Sequence, residues 1–217
     1  MFSPISIMRF LAAASPSSVQ SRRAFTLIEL LVVIIIIAIL IGFLFPAFRG
    51  VQDQAKRAQA KNDLSQIVTA VNAFYTEYGK YPLVTADTIY GPEGTSSADL
   101  FYTLRAVASG LNTGNAINPR QIVFISPPDV KDPASPHAGI SPTDGQYYDP
   151  WGTVYNVEID GNYDSQITNP YPDTDGSAGA SPLRQGVIGW AWGNDQTKGS
   201  KGVSTNFKGS DDVISWQ

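Results

Sequence analysis

Arg22-Arg23-Ala24-Phe25-Thr26-Leu27-Ile28-Glu29-Leu30-Leu31-Val32-Val33 leads into the stretch that decides how this chain is organised. From Leu30 to Phe48, 19 residues pass without a charge, and most are Leu, Ile, Val or Phe. At about 1.5 Å rise per residue they make roughly 28 Å of helix, close to the thickness of a bilayer core. An ordinary secretory signal is cut after its apolar region, at a small-x-small site. Here the apolar run passes directly into a further helical pattern, so the other candidate cut lies ahead of it, between Ala24 and Phe25. Glu29 is the one acid of the segment. A carboxylate within a bilayer costs about 2.5–3.5 kcal/mol on insertion scales, and a plain anchor has no use for one. A cut before Phe25 would create a positive amine one helical turn away. Amine and carboxylate could then neutralise each other, within one subunit or between neighbours.

The same residues resemble the prepilin processing motif of type IV pilin-like proteins. The resemblance implies a prepilin peptidase that cuts after Ala24, where the family usually has Gly, and methylates the new amine of Phe25. It implies that Glu29 registers an incoming subunit on a growing filament. Proline lacks an N–H and clashes with the carbonyl four residues earlier. Pro46 and Gly42 are therefore expected to kink or loosen the helix. Positive residues flank the span on both sides (Arg9, Arg22 and Arg23 before it; Arg49, Lys56, Arg57 and Lys61 after it), so charge alone does not orient it. The resemblance places the leader in the cytoplasm and the rest outside.

Beyond Phe48 the helical spacing continues. Val51, Ala55, Ala58, Leu64, Ile67, Val68, Val71, Phe74, Tyr75 and Tyr78 recur at three- and four-residue steps. Gly79 and Pro82 supply the stop. Ser97 to Gly110 reads as a short helix with Leu100, Phe101, Leu104 and Val107 on one face. Ile122 to Ile125 reads as a short strand and Pro127 to Gly145 as a Pro-rich loop. Val154, Tyr155 and Val157 suit a strand after the turn Asp149-Pro150-Trp151-Gly152, and Val187 to Trp192 another. The segments Ala73–Pro82 and Tyr148–Tyr155 resemble the major pseudopilin of type II secretion systems, its G-type subunit. The expected fold is α+β and pilin-like: a long N-terminal helix packed on a small antiparallel sheet, with a loop-rich C-terminal region. The expected division is a leader at 1–24, a membrane or filament-core helix at 25–48, a stalk helix at 49–80 and a globular domain at 81–217, with an insertion at 83–146.

Composition narrows the chemistry. Cysteine is absent, which excludes disulfides, cysteine metal sites and thiol catalysis. Loss of the three leader arginines takes the net charge from −4 to −7, and with no basic stripe left nucleic acid is not an expected partner. No catalytic constellation is present. His137 is the lone histidine, flanked by Pro136 and Ala138, and reads as exposed. Asp173-Thr174-Asp175-Gly176 reads as a turn, because the twelfth position of an EF-hand count falls on Pro182. The end of the chain is different. Gly193-Asn194-Asp195 and Ser210-Asp211-Asp212-Val213-Ile214-Ser215-Trp216 resemble the pseudopilin ending, where the loop binds calcium. The resemblance implies Asp195 and Asp212 as ligands, with Asp211 and Asn194 as additions. Calcium takes six to eight oxygens, and Lys198, Lys201 and Lys208 bring charge that opposes it. Apart from that structural calcium, no cofactor is expected.

The resulting expectation is not an enzyme but a structural subunit of a type II secretion pseudopilus. Its partners would be copies of itself, minor pseudopilins, an inner-membrane assembly platform and the prepilin peptidase. It would cross the inner membrane once, with its C-terminal domain outside the cytoplasm, and then enter a periplasmic filament. A type IV pilus pilin for adhesion, motility or DNA uptake fits the N-terminal segment equally. A membrane-tethered binding protein or enzyme would keep an uncut N-terminus.

Overall fold

The structure, a computed structural model, describes residues 25–172, 177–200, 203 and 205–217, apart from the side chains of residues 44–47 and 49. It forms two compact units, residues 1–46 and residues 47–217. Helix α1 (Leu27–Tyr78) contributes to both. In the first unit every residue from Phe25 to Phe43 is exposed, although most are large and apolar. A helix apolar on all sides needs an apolar surrounding. Among the described residues no helix is long and apolar enough to cross a membrane. The fully described part of the uncharged run stops at Phe43, whereas the run in the sequence extends to Phe48. α1 is helical through Gly42 and Pro46.

In the second unit the helix is two-faced. Ala60, Leu64, Ile67, Ala70, Val71 and Phe74 are buried along one stripe. On the wet face the hydroxyls of Ser65, Thr69 and Thr76 donate to carbonyls one turn back, at 2.9, 2.7 and 2.9 Å. Gly79 ends the helix at φ 68°, and its N–H donates to the Tyr75 carbonyl at 2.8 Å. This left-handed position suits glycine because it lacks a Cβ.

Among the described residues six strands follow: β1 (Thr88–Tyr90), β2 (Gly139–Ile140), β3 (Tyr147–Tyr148), β4 (Asn156–Ile159), β5 (Val187–Ala191) and β6 (Val213–Ile214). β1, β4, β5 and β6 form one antiparallel sheet in the order β1-β4-β5-β6, with Val157 opposite Gly189 and Trp190 opposite Ile214. Along β5 alternate residues serve two cores, as strand geometry requires. Val187 and Ala191 join the core against α1. Ile188 and Trp190 join a second core with Ile167, Tyr171, Leu183 and Ile214. Burial on both faces explains why Val187–Ala191 is apolar throughout rather than alternating. At Gly189 α1 packs closely on the sheet: a Cβ there would lie 3.1 Å from Leu64 Cδ2.

The middle of the chain departs from its sequence reading in three places. Helix α2 is shorter than expected, Ala98–Leu104, and Val107 lies beyond it because Ala106 takes φ 56° and turns the chain. Ile122–Ile125 is not a strand. It is held by the Phe124 N–H donating to the Leu104 carbonyl at 2.8 Å and by Asn118, whose amide brackets Ile122. The Pro127–Gly145 stretch is not all loop, since β2 pairs with β3 and buries Ile140. Leu100, Phe101, Leu104, Ile125, Ile140 and Tyr147 all enter the α1 core. Phe101 meets Tyr147 edge-on at 5.5 Å, Tyr147 meets Tyr155 at 5.0 Å, and the Tyr155 hydroxyl donates to Asp63 of α1 at 3.0 Å. Burial raises the Asp63 pKa, with Tyr155 and Tyr147 acting against it. The architecture is α+β, an N-terminal helix on a small antiparallel sheet.

Candidate functional site

At the N-terminus of α1 the side chain of Glu29 folds back on Thr26. Its Oε2 accepts from the Thr26 N–H at 2.9 Å and the Thr26 hydroxyl at 2.8 Å, while the Glu29 N–H donates to Thr26 Oγ1 at 3.2 Å. This is a capping box, which satisfies free amides of the first turn. Phe25, just outside it, is 76% exposed. The leader, Arg22, Arg23 and Ala24 included, lies outside the described residues.

The second candidate sits at the far end of the sequence. β5 leads through Trp192 into Gly193 at φ 71°, where a Cβ would meet the Asp211 carbonyl oxygen at 2.5 Å. That close approach aligns two acidic segments. Asp211 Oδ2 accepts from the amides of Asn194 and Asp195, and Asp195 Oδ1 accepts from the Thr197 amide at 2.9 Å. Asp212 Oδ2 accepts from the Gly199 amide at 2.7 Å. Carboxylate oxygens of Asp195, Asp211 and Asp212 lie within 4.8 Å of one another, the only such group of potential ligands among the described residues. Asn194, the fourth residue expected there, is exposed and contributes its backbone N–H. The three aspartates run from exposed at Asp195 to buried at Asp212, 5% exposed.

Two atoms of this cluster lack partners. Asp212 Oδ1 and the Tyr171 hydroxyl are both buried without a hydrogen bond. They lie near enough to influence each other's ionisation. Burial pushes the Asp212 carboxyl up to about 7. The Gly199 amide and Tyr171 oppose the shift, and Asp211 and Asp195 add to it. An orphaned buried carboxylate oxygen beside two further acids is a donor set suited to a hard cation. The cluster also meets the turn that precedes β4, where Gln196 Nε2 donates to the Trp151 carbonyl at 2.6 Å. In that turn Asp149 Oδ1 accepts the amides of Trp151, Gly152 and Thr153 at 2.8, 2.8 and 2.9 Å.

The other candidates separate from these sites. His137 is exposed, and its Nδ1 lies 2.7 Å from the Ser135 carbonyl. Asp173–Gly176 and Lys201 lie outside the described residues. Sequence reading missed Glu93, whose carboxylate accepts both indole N–H groups of Trp190 and Trp192, at 2.8 and 3.1 Å. No local pattern marks Glu93. The paired tryptophans of Trp190-Ala191-Trp192 were the available signal, since buried indoles need acceptors.

The sequence description of the prokaryotic N-terminal methylation motif matches residues 20–45. The chain is similar to the type IV major pilin protein PilA of Myxococcus xanthus, 37% identical over 72 residues, 33% of this chain and 33% of that one. It is also similar to the type II secretion system core protein G of Klebsiella michiganensis, 35% identical over 63 residues, 29% of this chain and 44% of that one. The core protein G of Pseudomonas aeruginosa matches at 35% over 63 residues, with the same shares. The chain spans from a third to under half of the length of these relatives. No solved structure matches it. With a methylation motif on its first helix and that helix laid on an antiparallel sheet, the chain is a pilin-like protein similar to type IV pilins and to the G-type subunits of type II secretion systems.

Proposed function

We propose that the chain is the structural subunit of a type II secretion pseudopilus, processed before Phe25 and assembled through α1. The observation that carries processing and assembly is Glu29, a lone acid one turn from Phe25 in an exposed, almost wholly apolar run from Phe25 to Phe43; the segments Tyr148–Tyr155 and Gly193–Trp216, which resemble the G-type subunit, favour secretion. Before assembly the uncharged run rests in the inner membrane as a single pass, with residues 47–217 outside the cytoplasm. Pro46, with no N–H to offer the Gly42 carbonyl, gives the helix a place to yield when it moves from lipid to filament core. The role is structural rather than catalytic. Copies of the chain, minor pseudopilins, the assembly platform and the prepilin peptidase are its partners. Growth of the filament would drive proteins across the outer membrane.

Mass spectrometry of the protein recovered from its native membrane tests the processing step. The expected N-terminus is N-methylated Phe25; an intact leader in the assembled form overturns the reading and leaves a tethered protein. A type IV pilus is the second reading, favoured by the similarity to a major pilin over a third of the chain. Deleting the gene separates the two: loss of secreted proteins supports the first, and loss of surface pili with secretion intact supports the second.

We also propose that Asp195, Asp211 and Asp212 hold a structural calcium ion, with Asn194 at the rim. Calcium would supply the orphaned Asp212 Oδ1 with a partner and join Gly193–Gly199 to Ser210–Asp212. Calorimetric titration of the detergent-solubilised chain with calcium chloride should give binding heat that Asp212→Ala abolishes. An equal response from the variant sinks the assignment.

A further inference from the structure

Lys198 stands three residues from Asp195, and simple electrostatics counts it against a cation site. The structure gives it another role. Glu93 lies in the turn after β1, where its N–H donates to Asn156 Oδ1 of β4 at 3.0 Å. Its Oε1 is fixed by the two indole N–H groups of Trp190 and Trp192. The other oxygen, Oε2, accepts from Lys198 Nζ at 2.5 Å, with the two side chains 20% and 19% exposed. The same ammonium lies 5.4 Å from the ring centre of Tyr171 and 5.9 Å from that of Trp190. Lys198 therefore occupies a preformed pocket with one carboxylate and two aromatic faces. Its charge is also the one that opposes the effect of Asp87 and Glu93 on buried Glu158. The charges acting most on Asp212, by contrast, are those of Asp211 and Asp195.

The adjoining residue makes the link. Gly199, buried, donates its N–H to Asp212 Oδ2. With Lys198 seated against Glu93, the Gly199 amide is held at the one paired oxygen of the buried ligand, leaving Oδ1 free. Tyr171 lies at the same junction, its ring beside the ammonium and its hydroxyl near enough to Asp212 to influence its ionisation.

We propose that Lys198 is a positioning residue for the acidic cluster: its ion pair with Glu93 latches the Gly193–Gly199 segment to the sheet. Removing its positive charge weakens, rather than strengthens, calcium binding at Asp195, Asp211 and Asp212. This rests on the cation reading above, but the latch has a readout of its own.

The test uses the full chain in detergent. Without metal, hydrogen exchange at the Gly199 amide should quicken about tenfold in Lys198→Met and in Glu93→Gln, the worth of one charge-assisted hydrogen bond. Lys198→Arg, which keeps the pair and the aromatic contact, should restore the wild-type rate. With calcium chloride, the dissociation constant should rise about tenfold in Lys198→Met and return toward wild type in Lys198→Arg. Unchanged Gly199 exchange in Lys198→Met overturns the latch. Wild-type binding with equal or tighter binding by Lys198→Met overturns its role at the site. No calcium heat in wild type overturns the cation reading, and the exchange result then still decides the latch.

Discussion

Cells whose only copy of this gene encodes Glu29→Leu should produce no filaments by electron microscopy, while the protein accumulates in the membrane with an unaltered fold. Among the described residues the carboxylate bonds only to Thr26. Its loss therefore removes one solvent-exposed capping interaction at the end of α1, a small contribution. That is too little, and too far along the chain from the Leu64–Phe74 stripe, to disturb residues 47–217. Leucine would also sit more comfortably in lipid than glutamate does. Any assembly defect would thus come from the missing charge and not from instability. Glu29→Gln sharpens the point, because it preserves the bond to Thr26 but cannot neutralise an amine. It should fail as Glu29→Leu does, and normal filaments in either variant count against an assembly role for the carboxylate.

The largest effect on stability should come from Asp149→Ala. One buried oxygen there accepts three consecutive amides, and truncation leaves the buried Trp151 amide and the half-buried Thr153 amide without it, while the Gly152 amide keeps the Asp149 carbonyl at 3.2 Å. At roughly 1 kcal/mol for each of the two donors left unpaired, the loss is about 2 kcal/mol, read as a lower urea midpoint. Asp149→Asn keeps the acceptor and should stay within about 1 kcal/mol of wild type. The two variants also separate by pH. Burial lifts the Asp149 carboxyl to about 6, against the pull of the three amides and His137. The folded state thus holds a proton that the unfolded chain, at the ordinary 3.8, has released. Stability contributed by this group should fall as pH rises from about 4 to about 6 and level off above that. Asp149→Asn should flatten that slope, and an unchanged slope would show that another group carries it.

What could be read from the sequence followed the length of the periodic segments. The helix ending at Gly79, the strand after Asp149-Pro150-Trp151-Gly152, which begins at Asn156 and so takes in Val157 but not Val154 or Tyr155, and the strand Val187–Ala191 within the expected Val187–Trp192 were legible. Each joins a clear repeat or apolar run to a turn residue with a specific backbone task. The middle was not legible, because side chains rather than ladders organise it. Buried Asn118 donates to the carbonyls of Thr103 and Ile122 and accepts from the Ile122 amide and the Tyr78 hydroxyl. Buried Asn112 does similar work for Ile117 and Asn118. Such single-residue hubs leave no periodic trace, so Ile122–Ile125 looked like a strand from its composition alone. The acidic cluster was half legible. Asp195, Asp211 and Asp212 were named from the resemblance to the pseudopilin ending and the structure brings them together, but the orphaned Asp212 oxygen and the Glu93–Lys198 pair depend on contacts across the fold.

The seat of Leu64 against Gly189 has a consequence for the order of events during synthesis. The stripe from Ala60 to Phe74 is made early, yet the strands that cover it lie some 90 to 130 residues further on. Closing loops of that size is slow relative to forming a helix, which takes microseconds or less. A nascent chain would therefore carry a finished, uncovered apolar helix face through most of its elongation. Self-association at that stage is the competing reaction, and a chaperone that shields α1 until β5 has emerged would raise the yield of folded subunit more than any faster pairing of the strands.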